Sequence, residues 1–328
     1  MHPFTYLRAR DVQQASALAA QNRGTELIAG GTDMLQLLKD DVRRPERLVD
    51  IGGLTGLASV EATASGLRFG ALARMSDVAD NPAVRDGYPA IAEALLASAS
   101  PQVRNMATIG GNLLQRTRCP YFRDTATSCN KREPGSGCAA IGGENRLHAI
   151  LGGSEHCVAT HASDLAVALA ALDAVVVTQG ANAGSGRRIP LVDFHLVPGD
   201  TPQRENVLQD GELIVAVEVP AAALTRRSLY RKVRDRASFE FALASAAVAL
   251  EIDGGVIHQA RVALGGVGTK PWRAYEAERA LVGATPRSAA FEAAASRAVD
   301  GAKPLEQNGF KLELAQRVVI RALTTLGA

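Results

Sequence analysis

A chain of 328 residues, 47% of them hydrophobic, is long enough for two or three domains and has the apolar side chains to fill their cores. Lys and Arg number 36 against 34 Asp and Glu, a formal charge of +2, without the basic excess or stripe that a nucleic-acid binder needs. The opening MHPFTYLRAR lacks a basic segment followed by an apolar run, and no apolar stretch approaches the ~20 residues of a transmembrane helix, so a cytoplasmic protein without a membrane span is expected. Periplasmic residence would require co-export with a signal-bearing partner.

In chain order, DVQQASALAAQ predicts a helix: Asp11 can cap it, and Gln14 stands at the capping-box spacing. A short apolar strand at 27–29 follows, then a Gly-Gly turn and a helix opening at Thr32 or Asp33. ERLVDIGG reads as another strand, so residues 1–52 form a small α/β unit. GLRFGALAR begins a second unit as a strand. AVRDGYPAIAEALLASAS carries two helical pieces, with apolar residues three and four apart around Ile91, Leu95 and Leu96. A helix at 164–172 and strands at 174–178, 187–189 and 213–219 complete this unit, 53–220, and Pro220 marks its end. The remainder, 221–328, opens with strand patterns in SLYRKVRDRASFEFALASAAVALEI and GVIHQARVALGGVG. Within it FALASAAVAL, 241–250, reads as a buried segment of either type. AYEAERALVG and two Ala-rich segments read as helices, which makes this unit an α+β domain with an antiparallel sheet backed by helices.

Two loops invite a ligand. AGGTD, 29–33, joins a strand, two glycines and a helix start, a backbone-amide nest suited to phosphate or pyrophosphate, although a tight turn alone accounts for it. TIGGN, 108–112, is a second such loop, and two loops can share a dinucleotide with its two phosphates and two sugars. Neither is GxGxxG or a Walker loop, which disfavours an ordinary Rossmann site. No Ser-His-Asp arrangement and no paired carboxylates point to hydrolysis, and no catalytic residue is nominated.

All four cysteines, Cys119, Cys129, Cys138 and Cys157, follow TIGGN with spacing C-x9-C-x8-C-x18-C. Their surroundings are Arg, Lys, Asn, Pro and Gly, which do not build an apolar core. Disulfides need an oxidising compartment. Zinc sites usually pair ligands two to four residues apart, a pattern missing here. An iron–sulfur cluster needs four thiolates and accepts looser spacing. Spacing alone does not separate iron–sulfur from zinc. Arg116, Arg118, Arg123, Lys131 and Arg132 could moderate a cluster's negative charge, and the N–H groups of Gly135, Gly137 and Cys138 could reach its sulfurs. His148, His156 and His161 read as structural and Trp272 as a packing residue. The row Arg231, Lys232, Arg234 and Arg236 reads as a solvated face, or as one that sends a cation to an anionic cofactor.

Taken together, LIAGGTDMLQLLK, TIGGNLLQ, SDLAVALAALDA, ELIVAVEVP, YRKVRDRASFEFALASAA and ALGGVGTKPWRA resemble, in order and over nearly the whole chain, the FAD-binding medium subunit of the molybdenum hydroxylases, the xanthine dehydrogenase and aldehyde oxidoreductase family. QRTRCPYF and CNKREPGSGCAA, within an insertion at about 113–162, resemble the three-subunit aldehyde oxidoreductases, whose flavin subunit carries an extra [4Fe-4S] cluster. The resemblance implies a two-part FAD-binding domain of the vanillyl-alcohol-oxidase-like type, followed by the α+β C-terminal domain. It implies that Leu27, Ile28, Ala29, Gly30, Gly31, Thr32, Asp33 and Met34 wrap the FAD pyrophosphate, and that Thr108, Gly110, Gly111 and Asn112 complete the phosphate and ribityl contacts. Asp164, after Ser163, would bond the sugar-side chain. Ile214 would touch the adenine or ribityl region through its main chain, and Lys232 would stand near the isoalloxazine, with Leu114, Gln115 and Arg116 close by. The four cysteines would be the cluster ligands. The implied assembly is a heterotrimer with a large molybdenum-cofactor subunit, which oxidises an aldehyde, and a small [2Fe-2S] subunit; the external electron acceptor is not implied. Flavin subunits of benzoyl-CoA-reductase or xanthine-dehydrogenase type are rivals. A stand-alone FAD-linked oxidase with a zinc or disulfide staple is the reading from another class.

Overall fold

The computed structural model describes residues 1–22, 24–182 and 184–327. Three sheets follow one another along the chain. Strands β1 (Thr5–Arg8), β2 (Thr25–Ile28) and β3 (Arg47–Asp50) make a parallel sheet in the order β1-β3-β2. The helix Val12–Gln21 supplies the crossover that a parallel pair requires. Asp11 caps it, accepting from the Gln14 N–H at 2.7 Å, while the Gln14 side chain reaches back to the N–H of Arg10 at 2.8 Å, one residue ahead of the cap.

The second sheet is antiparallel in the order β4-β5-β8-β6-β7, built from Val60–Thr63, Gly66–Gly70, Val175–Gln179, Arg188–Pro190 and Leu213–Pro220 in chain order. Its core joins Phe69 and Val217 to Ile91 and Leu95 of the helix Pro89–Ala97. The helix Asp164–Ala171 is buried at every position, the signature of a helix packed on all sides. It lies between Pro89–Ala97 and the third sheet.

That third sheet, order β12-β11-β10-β9, is antiparallel: β9 (Ser228–Val233), β10 (Ala244–Asp253), β11 (Val256–Gly265) and β12 (Trp272–Arg273). The helices Tyr275–Leu281, Ser288–Ala298 and Phe310–Gly327 pack against it. The ambiguous apolar run resolves as strand β10. Its residues Ala244 to Leu250 are buried without alternation because helices cover both faces. Phe241 departs from the expectation of a buried run: it precedes the strand and is 41% exposed.

Residues 113–162 hold little regular structure beyond the short helix Pro120–Arg123, and they are stapled to the C-terminal part. Asn145 and Gln307 exchange two main-chain-to-amide hydrogen bonds at 3.0 Å, and Arg146 binds Asp235 through both guanidinium nitrogens at 2.8 and 2.9 Å. Lys311 is wholly buried, and its Nζ donates to the carbonyls of Leu147, His148 and Gly266 at 2.9, 3.0 and 2.8 Å. Burial pushes its pKa down to about 7, while the three carbonyls replace the water an ammonium loses. Lys311→Met should orphan those carbonyls and lower unfolding stability by about 3 kcal/mol, read from the denaturant midpoint. An unchanged midpoint would mean that the insertion is held without this clamp.

Candidate functional site

After β2 the chain turns through Ala29, Gly30 and Gly31 into the helix Met34–Lys39. Gly31 has φ +70°, a conformation that side-chain-bearing residues rarely adopt. At Gly30 a Cβ would stand 1.9 Å from the carbonyl oxygen of Met106, so the first glycine loop rests directly on the approach to the second. The second opens the short helix Ile109–Leu113, which Thr108 caps by accepting from the Gly111 N–H at 3.2 Å. Gly110 donates its N–H to the Ala71 carbonyl at 2.8 Å.

Between the loops lies a cavity of about 1060 Å³, at the upper end of small-molecule pockets and large enough for a dinucleotide. Its wall includes every residue of 27–34, together with Thr108, Gly110, Gly111, Asn112, Asp164, Ile214 and Lys232. Among the described residues, the main-chain N–H groups of Gly30, Gly31, Thr32, Asp33 and Met34 donate to no protein acceptor. Five free donors at a glycine turn suit an anionic pyrophosphate. The chain's donor set therefore fits FAD.

Asp33 does not cap its helix. One carboxylate oxygen accepts the Arg116 N–H at 2.8 Å, and the other faces Arg118 and Arg123 at 2.9 Å each. Asn112 turns its side chain inward, where Oδ1 accepts from the Ser163 hydroxyl at 2.5 Å. The Ser163 oxygen in turn caps Asp164–Ala171 by accepting from the Ala166 N–H at 2.9 Å.

Asp164 and Lys232, nominated for separate roles, form one buried ion pair at 2.7 Å. The carboxylate also accepts from Ser98 Oγ at 3.0 Å and from the Tyr230 hydroxyl, and Lys232 donates to the Ala97 carbonyl at 3.1 Å. Burial and the neighbouring carboxylate push the Tyr230 phenol well above its usual range, keeping it a donor. Lys232 thus reaches the cavity with its charge already compensated.

The cavity wall also holds groups that the sequence did not single out for it. His195 Nε2 lies 2.9 Å from the Leu113 carbonyl, and its ring meets His161 edge-on at 4.3 Å. Burial pushes His195 down to about 4 and His161 well below its ordinary value, so both rings are neutral near pH 7. Phe239, Glu240 and Phe241 line the wall too, with the Arg118 guanidinium 5.0 Å from the Phe241 ring centre. Phe239 sits at φ +53°, rare for an aromatic residue.

All four cysteines are free thiols. Cys129 pairs across a bridge with Cys138, Cys157 bridges Ser154, and Cys157 also lines the cavity. Burial pushes the Cys119 thiol up to about 12, with Cys129 and Cys157 adding to the rise. Cys157 is raised by burial, partly opposed by Lys131, with further upward contributions from Cys138 and Cys129. The four thiols therefore stand within reach of one another's charge. Among the described residues, no three His, Cys, Asp or Glu side chains are close enough to hold a single metal ion.

One expectation around the cysteines needs correction. The N–H groups of Gly135 and Gly137 donate to Asn130 Oδ1 at 3.1 and 2.8 Å, because the asparagine closes that turn from inside, and so they are engaged away from sulfur. The basic residues also make contacts of their own, Arg118 and Arg123 with Asp33, Arg116 and Lys131 with Glu205, and Arg132 with the carbonyls of Tyr121, Phe122 and Thr127, and the Lys131 charge acts on Cys157 as well. His148 places its Nε2 3.1 Å from Cys119 Sγ.

Two glycine loops on one dinucleotide-sized cavity, followed by an antiparallel sheet backed by helices, define a dinucleotide-binding chain. Residues 2–222 match the family described as the FAD binding domain in molybdopterin dehydrogenase, and residues 228–326 match the CO dehydrogenase flavoprotein C-terminal domain. The chain is 49% identical to the aldehyde oxidoreductase FAD-binding subunit PaoB of Escherichia coli (strain K12), over 98% of each chain. It is 30% identical to the glyceraldehyde dehydrogenase medium chain of Sulfolobus acidocaldarius, over 86% of this chain and 83% of that one. The solved carbon monoxide dehydrogenase of Hydrogenophaga pseudoflava, in a form lacking the Mo-pyranopterin moiety of its molybdenum cofactor, superposes with a TM-score of 0.76 at 28% identity, covering 98% and 97% of the two chains. The chain belongs to the FAD-binding medium subunits of the molybdenum hydroxylases, oxidoreductases of several subunits.

Gly30→Ala should separate the two loops and give protein that purifies with most of its flavin lost, measured as flavin absorbance per chain; full flavin content would show that the loops tolerate the side chain. Lys232→Met should cost about 3 kcal/mol of stability by leaving Asp164 buried without its cation. Pairing it with Asp164→Asn should recover part of that loss in a double-mutant cycle, whereas strict additivity would deny the pair its coupling.

Proposed function

We propose that this chain is the FAD- and [4Fe-4S]-carrying subunit of a molybdenum-dependent aldehyde oxidoreductase, with a large molybdenum-cofactor subunit and a small [2Fe-2S] subunit as partners in a heterotrimer. Its work is to hold the cofactors that carry electrons from those partners to an external acceptor. The observation that carries this reading is the shared wall: Cys157 lines the same cavity as the two glycine loops, and the other three thiols lie within reach of its charge. The aldehyde follows from the aldehyde oxidoreductase and glyceraldehyde dehydrogenase relatives.

In this reading the N–H groups of Gly30 to Met34 take the pyrophosphate, with Thr108, Gly110 and Gly111 on its other side. Asn112 holds the second loop against Ser163, and Asp164 presents an oriented carboxylate whose charge Lys232 offsets. Ile214 supports the sugar and adenine side from β8. Bound FAD supplies a carrier that accepts and releases electrons singly or in pairs. Cys119, Cys129, Cys138 and Cys157 would hold the cluster. In a cubane each thiolate binds a different iron, so the four cysteines need not converge on one ion. The raised thiol pKa values mean that loading must displace protons, so reconstitution with iron and sulfide weakens as pH falls. The domain limits that accompany this reading are 1–52, 53–220 with the insertion at about 113–162, and 221–328.

The test is anaerobic purification with partners co-expressed, followed by a visible spectrum and assays of iron, zinc and acid-labile sulfide. Flavin bands over a broad iron–sulfur absorption, with about four irons and four sulfides per chain beyond those of the small subunit, are expected. Aldehydes should reduce the flavin only in the complex. Flavin accompanied by zinc, or by no metal, would remove the cluster; reduction by aldehydes of the isolated chain would remove the partner-dependent role.

A further inference from the structure

We propose that His148 donates a hydrogen bond from Nε2 to the sulfur of Cys119 and that this bond raises the reduction potential of the iron–sulfur cluster. The inference rests on the cluster reading above, and its subject is a positioning residue outside the ligand set. The Nε2 to Sγ distance is 3.1 Å, and among the described residues His148 is the one side chain hydrogen-bonded to a cysteine sulfur.

The direction of the bond follows from proton inventory. His148 is 3% exposed, and its ring is packed beside the sulfur. Its Nδ1 is buried with no partner among the described residues, whereas Nε2 has the sulfur in reach; the proton therefore belongs on Nε2. A cysteine bound to iron is a thiolate with no proton to give. With the cluster in place, the contact persists only as N–H donating to sulfur.

The main chain at His148 is anchored largely from outside the cysteine loop. The His148 N–H donates to the Asn145 carbonyl at 2.9 Å, and its own carbonyl accepts from Lys311 Nζ at 3.0 Å and Asn308 Nδ2 at 3.2 Å. Asn308 and Lys311 flank the start of the C-terminal helix Phe310–Gly327, so the donor is held from another part of the fold and need not follow the sulfur as its charge changes. Hydrogen bonds to cluster sulfurs favour the more electron-rich state and so raise the potential. The Gly135 and Gly137 amides face Asn130, and Arg118 and Arg123 face Asp33, while the main-chain N–H groups of Tyr121 and Phe122 reach Cys119 and that of Ala159 reaches Cys157.

The experiment is a redox titration of the anaerobically purified complex, following the reduced cluster by electron paramagnetic resonance. His148→Phe should keep its iron and sulfide while its cluster midpoint moves to a more negative potential, with the flavin midpoint unchanged. His148→Gln, whose amide can donate from nearly the place of Nε2, should recover most of the shift. An iron-loaded His148→Phe protein with the wild-type midpoint overturns the proposal. Should the phenylalanine variant lose its iron, wild-type protein grown on heavy-nitrogen histidine decides: a hyperfine coupling from histidine nitrogen to the reduced cluster, abolished in His148→Gln, supports the bond, and its absence overturns it. Wild-type complex without the expected iron would overturn the cluster reading itself, and metal analysis reveals that before any potential is measured.

Discussion

The main chain at Gly30 lies against the carbonyl of Met106 with no room for a Cβ, and this contact joins two parts of the chain that otherwise have separate sheets. It puts the end of a parallel strand next to the approach to a capped turn, so that free amides on one loop face a second glycine loop across the cavity. Neither loop alone is more than a turn. Their apposition makes a concave site with donors where an anion needs them, and the remaining side chains of the site are placed relative to that seam.

Two carboxylates, Asp33 half-buried and Asp164 buried, then fix what surrounds the seam. Asp33 draws in the segment of Arg116, Arg118 and Arg123, so the cysteine-bearing insertion leaves the second loop and returns at once to the first. Asp164 links the all-buried helix to β9 through Lys232 and Tyr230. Burying such pairs carries a desolvation cost that their attraction only partly offsets. Their effect is to hold distant segments in one register, with Cys157 in the wall of the flavin cavity.

Much of the fold was legible because its signals are local. Asp11 and Gln14 announce a helix start within four residues, and the short strands follow runs of Val, Ile and Leu bounded by glycine or proline. FALASAAVAL was ambiguous because burial on both faces erases the alternation that distinguishes strand from helix. The cavity was legible where glycine pairs mark its wall. It was not legible where partners lie far apart: Lys232 and Asp164 are 68 residues apart, and Cys119 and His148 are 29 apart, with no periodicity connecting either pair. His195 carries no signal in LVDFHLVPGD that would place it beside Leu113. The Gly135 and Gly137 amides were misassigned because Asn130, within the same loop, competes for them.

The first sheet has a small apolar foundation: Ala9, Ala15, Leu48 and Val49 are buried, with Leu37 and Leu38 of the neighbouring helix, joined by Leu213 from β8, and Leu18, Leu27 and Ile51 are partly covered. So small a cluster leaves little to hold residues 5–50 closed against the rest of the molecule. A ligand that bridges the glycine loops binds only the closed arrangement and stabilises it in proportion to its concentration relative to its dissociation constant. The amino-terminal segment is therefore an occupancy gauge. Its amide exchange and its resistance to proteases track how many chains in a preparation carry the cofactor, while the larger cores of the other two sheets report only whether the chain is folded.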